Sequence, residues 1–333
     1  TYDVKLSSQI ELDEVVVIGY GEQKKVNVTG AVETIGGDAI SKQPVFQASQ
    51  ALAGLAPGLT AIQSSGQPGN DGATLRVRGI GSLGASNNPL VLIDGIAGDI
   101  NDLDPNDIES VSVLKDAAAA SIYGSRGSNG VILVTTKRGK TGKLSVNYNT
   151  YMGYQSIADV PQYMGAVDFL RVSGADPAVV SDYAANVGRD PDLYPDTDWM
   201  DLLFSENGFQ QYHSLSANGG NENVKLLASI SYTDQNANVK NYNFKRYNGR
   251  FNTDIKLSEK LSLNFDLNFR QEVRNNPNAS LARVFLDAFR IDPTQVAIHS
   301  DGSWGDGWQG QNPIAYVNDG GTEVLVFDIS TPA

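Results

Sequence analysis

Cysteine is missing from all 333 residues, so neither a disulfide nor a thiolate metal site can hold this chain together. Histidine is nearly missing, and two residues leave little material for acid–base chemistry. Positive charge is scarce as well. Lys and Arg number 25 against 38 Asp and Glu, a net charge of −13, whereas a nucleic-acid partner needs clustered basic side chains to meet its phosphates. No apolar run approaches the roughly 18 residues of a membrane helix, and no signal-peptide pattern precedes Thr1. Neither absence touches the other way of spanning a bilayer, a closed β-barrel, whose alternating strands barely register in a hydropathy average.

What is present is turn-rich: 34 Gly and 13 Pro, in a length that suits two ordinary domains. The first half is organised around 104–139. Ile108, Val111 and Val113 mark a short half-buried strand, and Asp116 stands where an N-cap carboxylate would serve a short alanine helix ended by Gly124. Residues 125–130 are turn chemistry, with Asn129-Gly130 suited to positive φ, and the β-branched run 131–136 is a buried strand. Upstream, Ala48, Ala51, Leu52 and Leu55 have helical spacing that Pro57-Gly58 stops, and 59–64 and 74–77 are strands flanking the loop SSGQPGNDG. Arg76 and Arg78 alternate about Val77, which predicts guanidinium groups pointing the same way.

Two motifs are decoys. Residues 79–84 form a GxGxxG, but a strand at 90–93 follows where a dinucleotide site needs a helix N-terminus facing the pyrophosphate. The acidic run Asp99, Asn101, Asp102, Asp104, Asn106, Asp107 lacks the central glycine and ligand spacing of a calcium loop, so loop and helix-cap roles are expected.

From Leu144 onward the pattern turns binary. Leu261, Leu263, Phe265, Leu267 and Phe269 alternate with Ser262, Asn264, Asp266, Asn268 and Arg270. Before them Tyr247, Gly249, Phe251, Thr253, Ile255 and Leu257 alternate with Asn248, Arg250, Asn252, Asp254 and Lys256. Weaker strands have the faces Leu226, Ala228, Ile230, Tyr232, then Leu144, Val146, Tyr148, Thr150, Met152, then Phe209, Leu215, Ala217. Such lengths suit tilted membrane strands, and an Arg or Lys facing lipid at mid-depth costs roughly 2–4 kcal/mol, so the charged faces are predicted to look inward. Short connections at 219–223 and 258–260 and long ones at 155–207 and after 274 predict periplasmic turns and extracellular loops respectively. Tyr183, Tyr194, Trp199, Trp304 and Trp308 could stack on sugars, but pinning of the long loops is the expected role. A soluble β-sandwich shares the alternation and stands as the alternative fold on pattern alone.

A resemblance carries the reading further. The run DIESVSVLKDAAAASIYGSRGSNGVILVTTKRG at 107–139 resembles the end of the plug of SusC-like TonB-dependent transporters of the Bacteroidetes outer membrane. DEVVVIGYG at 13–21 resembles their TonB box, and WMDLLF at 199–204, 213–235 and 244–252 resemble their first barrel hairpins. The resemblance implies an all-β dominated transmembrane barrel, of about 22 strands in the family, with an N-terminal α+β plug in the lumen. It divides the chain into the end of a carboxypeptidase-regulatory-like domain or a linker at 1–12, a TonB box at 13–21, a plug at 22–140 and barrel strands with extracellular loops from 143 to 333. Only five clear strands and a sixth near 323–329 are present, and unpaired barrel edges are not viable in lipid. The expectation is therefore a fragment or part of a longer polypeptide, with completion by another chain as the alternative.

The implied function is TonB-dependent import of a glycan or oligopeptide across the outer membrane, with no enzymatic step, cofactor or metal. The implied partners are a SusD-like surface lipoprotein lid, TonB with ExbB and ExbD, the outer-membrane lipid and a second SusCD pair. TonB would pair with Asp13, Glu14, Val15, Val16, Val17, Ile18 and Gly19, an extended segment able to add to a partner sheet edge. Plug-apex loops would meet substrate through Ser64, Ser65, Gln67, Asn70, Asp71, Ser82, Asn87 and Asn88. Arg76, Arg78 and Arg126 would contact the barrel wall. Two rival classes are a soluble or surface glycan-binding β-protein and a periplasmic hydrolase, the latter with His213 but no nucleophile nearby in sequence.

Overall fold

A computed structural model describes residues 15–18, 21–24, 32–81, 86–116, 120–204, 208–277, 279–307, 309–318 and 322–330. Two bodies of different construction emerge. The first is built on a five-stranded sheet of β3 (Val32–Gly36), β6 (Leu90–Ile93), β7 (Ile96–Ala97), β8 (Ile108–Leu114) and β9 (Val131–Thr136), in the order β3-β8-β9-β6-β7. β6 and β9 are parallel, the other pairs antiparallel. A hairpin of β4 (Leu59–Gln63) and β5 (Ala73–Val77) lies beside two one-turn helices, α1 (Gly37–Ser41) and α2 (Ala48–Ala51). Val111, Val113, Ile132 and Val134 from the sheet, Ile40 and Leu52 beside the helices and Ile108 make one dry core.

The helix expected over 47–55 is shorter. It ends at Ala51, and Gly54, at φ 73, turns the backbone left-handed inside the expected span. The alanine helix expected after Asp116 falls partly on 117–119, outside the described residues, and the chain continues as a 3₁₀ turn, Ser121–Gly127, broken at Gly124. At the β6–β7 hairpin, Asp94 (φ 47) and Gly95 (φ 92) are both left-handed, as a tight two-residue turn requires.

The second body is a six-stranded antiparallel sheet in chain order: β10 (Gly142–Gln155), β11 (Gly208–Gly220), β12 (Val224–Asn236), β13 (Asn243–Ser258), β14 (Leu261–Asn276) and β15 (Thr322–Ser330). Its two faces separate as the alternation predicts. Leu144, Val146, Ile230, Leu257, Leu261 and Leu263 stand exposed on one side, whereas Leu227, Arg246, Arg250, Asn252 and Asp266 are buried on the other, against the first body. Among the described residues the outer face packs on no second sheet, contrary to a sandwich. Towards the end that carries the long connections, Tyr148, His213, Tyr232 and Tyr247 lie ring beside ring across four strands, a row of the kind expected at a membrane interface. His213 is part of this row, with Nδ1 hydrogen-bonded to the Tyr148 and Thr150 hydroxyls.

The long connections fold together at the same end. Helices α3 (Ala166–Val172), α4 (Pro177–Asn186) and α5 (Trp199–Leu203) come from the first, and α6 (Leu281–Arg290) and α7 (Pro313–Asn318) from the second. Trp199, Met200, Leu203, Val284, Ala288 and Ile314 form the shared core of α5, α6 and α7. The Tyr183 hydroxyl donates to the Pro195 carbonyl and its ring meets Tyr194 edge-on, so these aromatics fasten the loops. Trp304 is partly exposed at the rim, and Trp308 lies outside the described residues. No helix among the described residues is long and apolar enough to cross a membrane.

Candidate functional site

The described residues bring one large constellation together, the joint between plug-like body and sheet. Its side chains come from the even-numbered positions of β13 and β14, which pleating aims inward, and from the turns of the first body. Arg250 reaches Asp94 at 3.1 Å and also donates to the Thr136 hydroxyl. Arg270 pairs with Asp102, and Arg274 with Glu272 at 2.8 Å. Where the chain crosses from one body to the other, Arg138 bridges Asp254 at 2.9 Å and Asp266 at 2.8 Å. Arg246, only 1% exposed, donates to the carbonyls of Phe46 and Asn101 and to the Gln47 amide oxygen.

Uncharged groups follow the same plan. The Tyr212 hydroxyl donates to Asp104 at 2.6 Å and accepts from Asn106, which in turn accepts from Asn149. Asp71 accepts from Gln47 on its own body and from Gln235 on the sheet. Rings cross at two places, Phe46 against Tyr151 at 5.2 Å and Phe244 under Gly69, where a Cβ would land 2.4 Å from the ring. The apolar clusters themselves stay on one side or the other. A cavity of about 250 Å³ remains between the β6–β7 turn, residues 102–107 and the wall around Asn248, Arg250, Asn268 and Arg270. Burial, with Asp104 beside it, pushes Asp107 up to about 6 against the pull of Ser229, Arg250 and Lys137. Asp102 is also raised by burial, opposed by Arg270. Among the described residues no three His, Cys, Asp or Glu side chains converge as metal ligands.

The residues singled out from sequence scatter over this frame. Val15, Val16, Val17 and Ile18 form β1 (Val15–Ile18), paired antiparallel with β2 (Gly21–Lys24), Val15 opposite Lys24. Asp13, Glu14, Gly19 and Ser82 lie outside the described residues. In the loop after β4, Ser64 and Asn70 are exposed and the Ser65 hydroxyl accepts from the Gln67 amide. Gln67 and Asp71 turn to the wall instead of the lumen: Gln67 donates to Asn276, and Asp71 is 6% exposed. Asn87 accepts from the Gly81 amide, and the Asn129 side chain holds the carbonyls of Ser86 and Asn88.

Among the described residues, none of the three arginines expected to contact the wall forms a hydrogen bond or ion pair with the six strands of this chain. Arg78 pairs with Asp116 of its own body, because φ 58 at Arg78 ends the strand and breaks the alternation that would align it with Arg76. Arg76 is half-buried, its Nε without a partner among the described residues, and Arg126 is exposed. The arginines that do join the bodies come from the other direction, on β13 and β14. Their inward positions were legible from alternation; their partners, more than a hundred residues away, were not.

Comparison with known proteins agrees with this arrangement. Residues 24–131 match the TonB-dependent Receptor Plug Domain. The chain is similar to TonB-dependent receptor P26 of Formosa agariphila, 37% identical over 327 residues, which is 94% of this chain and 32% of that one. It is similar to TonB-dependent receptor SusC of Bacteroides thetaiotaomicron, 37% identical over 315 residues, 90% of this chain and 30% of that one. The structure of the RagAB peptide importer in the open-open state superposes with a TM-score of 0.69 at 32% identity, over 79% of this chain and 32% of that one. This chain thus spans about a third of the length of these relatives. Because the similarity runs through plug and wall alike, the chain belongs to the SusC-like TonB-dependent receptors, β-barrel proteins of the bacterial outer membrane.

Proposed function

We propose that this chain serves the energy-coupled import of a large nutrient, a glycan or an oligopeptide, across the outer membrane. The observation that carries the reading is the composition of the plug–wall joint. Hydrogen bonds and ion pairs dominate it, while each body keeps its own apolar core. Groups in such a joint exchange partners with water when it opens, so the net cost per bond is only about 0.5–1.5 kcal/mol for neutral pairs. A stopper held this way can be shifted without losing its own fold.

In the proposed cycle, a SusD-like lipoprotein closes over the loop domain and cargo meets the plug through Ser64, Ser65, Asn70, Ser82, Asn87 and Asn88. TonB, driven by ExbB and ExbD, then pairs with 13–19, and its pull displaces part of the plug. β1 suits this role, being extended, with one edge paired to β2 and, among the described residues, no strand on the other, where a partner strand could add. The inward arginines, polar plug and absence of covalent steps in the scheme fit passage and not turnover. Deleting residues 13–19 should abolish uptake in cells while outer-membrane abundance stays normal; undiminished uptake would refute the proposal.

A further inference from the structure

The register of the first two strands fixes which backbone groups of 15–18 are already taken. β1 and β2 pair as Val15 with Lys24, Val16 with Gln23, Val17 with Glu22 and Ile18 with Gly21. Only positions 19 and 20 separate Ile18 from Gly21. At that spacing two paired antiparallel residues must exchange their own N–H and C=O groups, because the other ladder pattern would require a hydrogen bond between neighbours in sequence. Pairs that exchange bonds alternate along the ladder with pairs that exchange none. Ile18 and Val16 therefore commit their backbone groups to β2, whereas Val15 and Val17 turn theirs away from it. This parity belongs to the backbone and holds whatever lies beyond that edge.

Two routes are open to a partner strand. It can displace β2 and take over the bonds of Val16 and Ile18, or it can add through Val15 and Val17. Displacement breaks one main-chain bond for each one it makes, and the two are of the same kind, so little is gained. Addition keeps every bond in place and builds new ones on a strand already held extended, which leaves less chain to be ordered on binding. It also mends a weakness, since two strands by themselves are marginal in water and a third makes a sheet able to stand alone. Addition is the favoured route. The occupant is TonB, because the chain belongs to the TonB-dependent receptors and 13–21 resembles their TonB box.

We propose that TonB reads this segment as a hairpin: its strand bonds the backbone of Val15 and Val17 while β2 stays paired to Val16 and Ile18. Residues 21–24 then belong to the docking element as much as 15–18 do. The inference rests on the reading of 13–19 as the TonB-binding segment. It goes further by assigning the bonds to alternate residues and by giving the second strand a part in recognition.

The experiment titrates the TonB carboxy-terminal domain against the full-length receptor in lipid nanodiscs. Val15→Cys with Lys24→Cys, in a chain without cysteine, places thiols on a facing pair that exchanges no hydrogen bonds. Cα atoms of such pairs stand roughly 4.5 Å apart, within disulfide reach, so oxidation locks β2 onto β1. The oxidised receptor should bind at least as tightly as the reduced one. Binding lost on oxidation and restored by a reductant would overturn the proposal, since β2 would then have to leave.

A second measurement reads the alternation without the cysteines and decides the matter should they spoil binding. α-Hydroxy acids introduced at single positions replace one N–H each by an ester oxygen. The ester at Val17 should weaken TonB binding roughly two- to tenfold, and the ester at Val16, which loosens only the hairpin, should weaken it less. Equal losses or the reverse order would overturn the assignment. A wild-type receptor that shows no TonB binding, or binding that survives deletion of 13–19, would instead sink the reading of this segment as the TonB site, and the hairpin with it.

Discussion

Arg250 of the wall and Asp94 of the plug meet at 3.1 Å with side chains 3% and 12% exposed, and Thr136 sits between them. Its hydroxyl accepts from the guanidinium and donates to the carboxylate, and its amide donates to the other carboxylate oxygen. The turn after β6, the end of β9 and the middle of β13 are thereby tied at one point.

Removing one member should cost more than removing both charges. Arg250→Ala strands a buried carboxylate, a change worth about 3–5 kcal/mol, and should raise amide exchange at 90–97 and 131–136 in the full-length protein. The double variant Arg250→Met with Asp94→Asn should lose markedly less, as a double-mutant cycle will report.

The outward face should reject charge where the inward face accepts it. Ile230, 62% exposed on the apolar side, should give a barrel that assembles poorly as Ile230→Arg, at a cost of roughly 2–4 kcal/mol near mid-depth. Asn264→Arg, on the inward face of β14, should assemble normally. Heat-modifiable mobility on gels separates the two outcomes.

Gly130 has φ 88, and a Cβ there would sit 2.8 Å from Cβ of Val77. Gly130→Ala should therefore destabilise the plug by about 1–3 kcal/mol and open it to protease at the start of β9. Gly36, whose added Cβ meets nothing within 4 Å, should tolerate the same substitution.

Asp107 predicts a pH dependence of plug seating. Its carboxyl titrates near 6 when seated and near 3.9 when solvated, so the seated form binds more protons between those values. Stability then falls as pH rises through that window, by roughly 1–3 kcal/mol in all. Amide protection around 104–108, measured against the intrinsic exchange rate at each pH, should be higher at pH 4.5 than at pH 7, and Asp107→Asn should remove the difference.

The wall was legible in the sequence because a period of two states which side of each strand is dry, and a charged residue in lipid is too costly to leave the choice open. Val111, Val113 and the run 131–136 revealed the plug sheet for a similar reason, as β-branched residues packed on both faces. Asp71 was not legible. In sequence it is a polar residue in a glycine-rich loop, and its partner Gln235 lies on a strand that only folding brings near. Arg78 misled through backbone geometry, since its left-handed φ cannot be read from neighbours that otherwise alternate.

The division of apolar residues into cores that never merge has a thermal consequence. Contacts between wetted polar surfaces exchange little hydrocarbon with water, so seating the stopper should change the heat capacity far less than folding either body does. The cork should hold almost equally well in cold and warm surroundings, while the two pieces it joins keep the curved temperature profile of ordinary proteins.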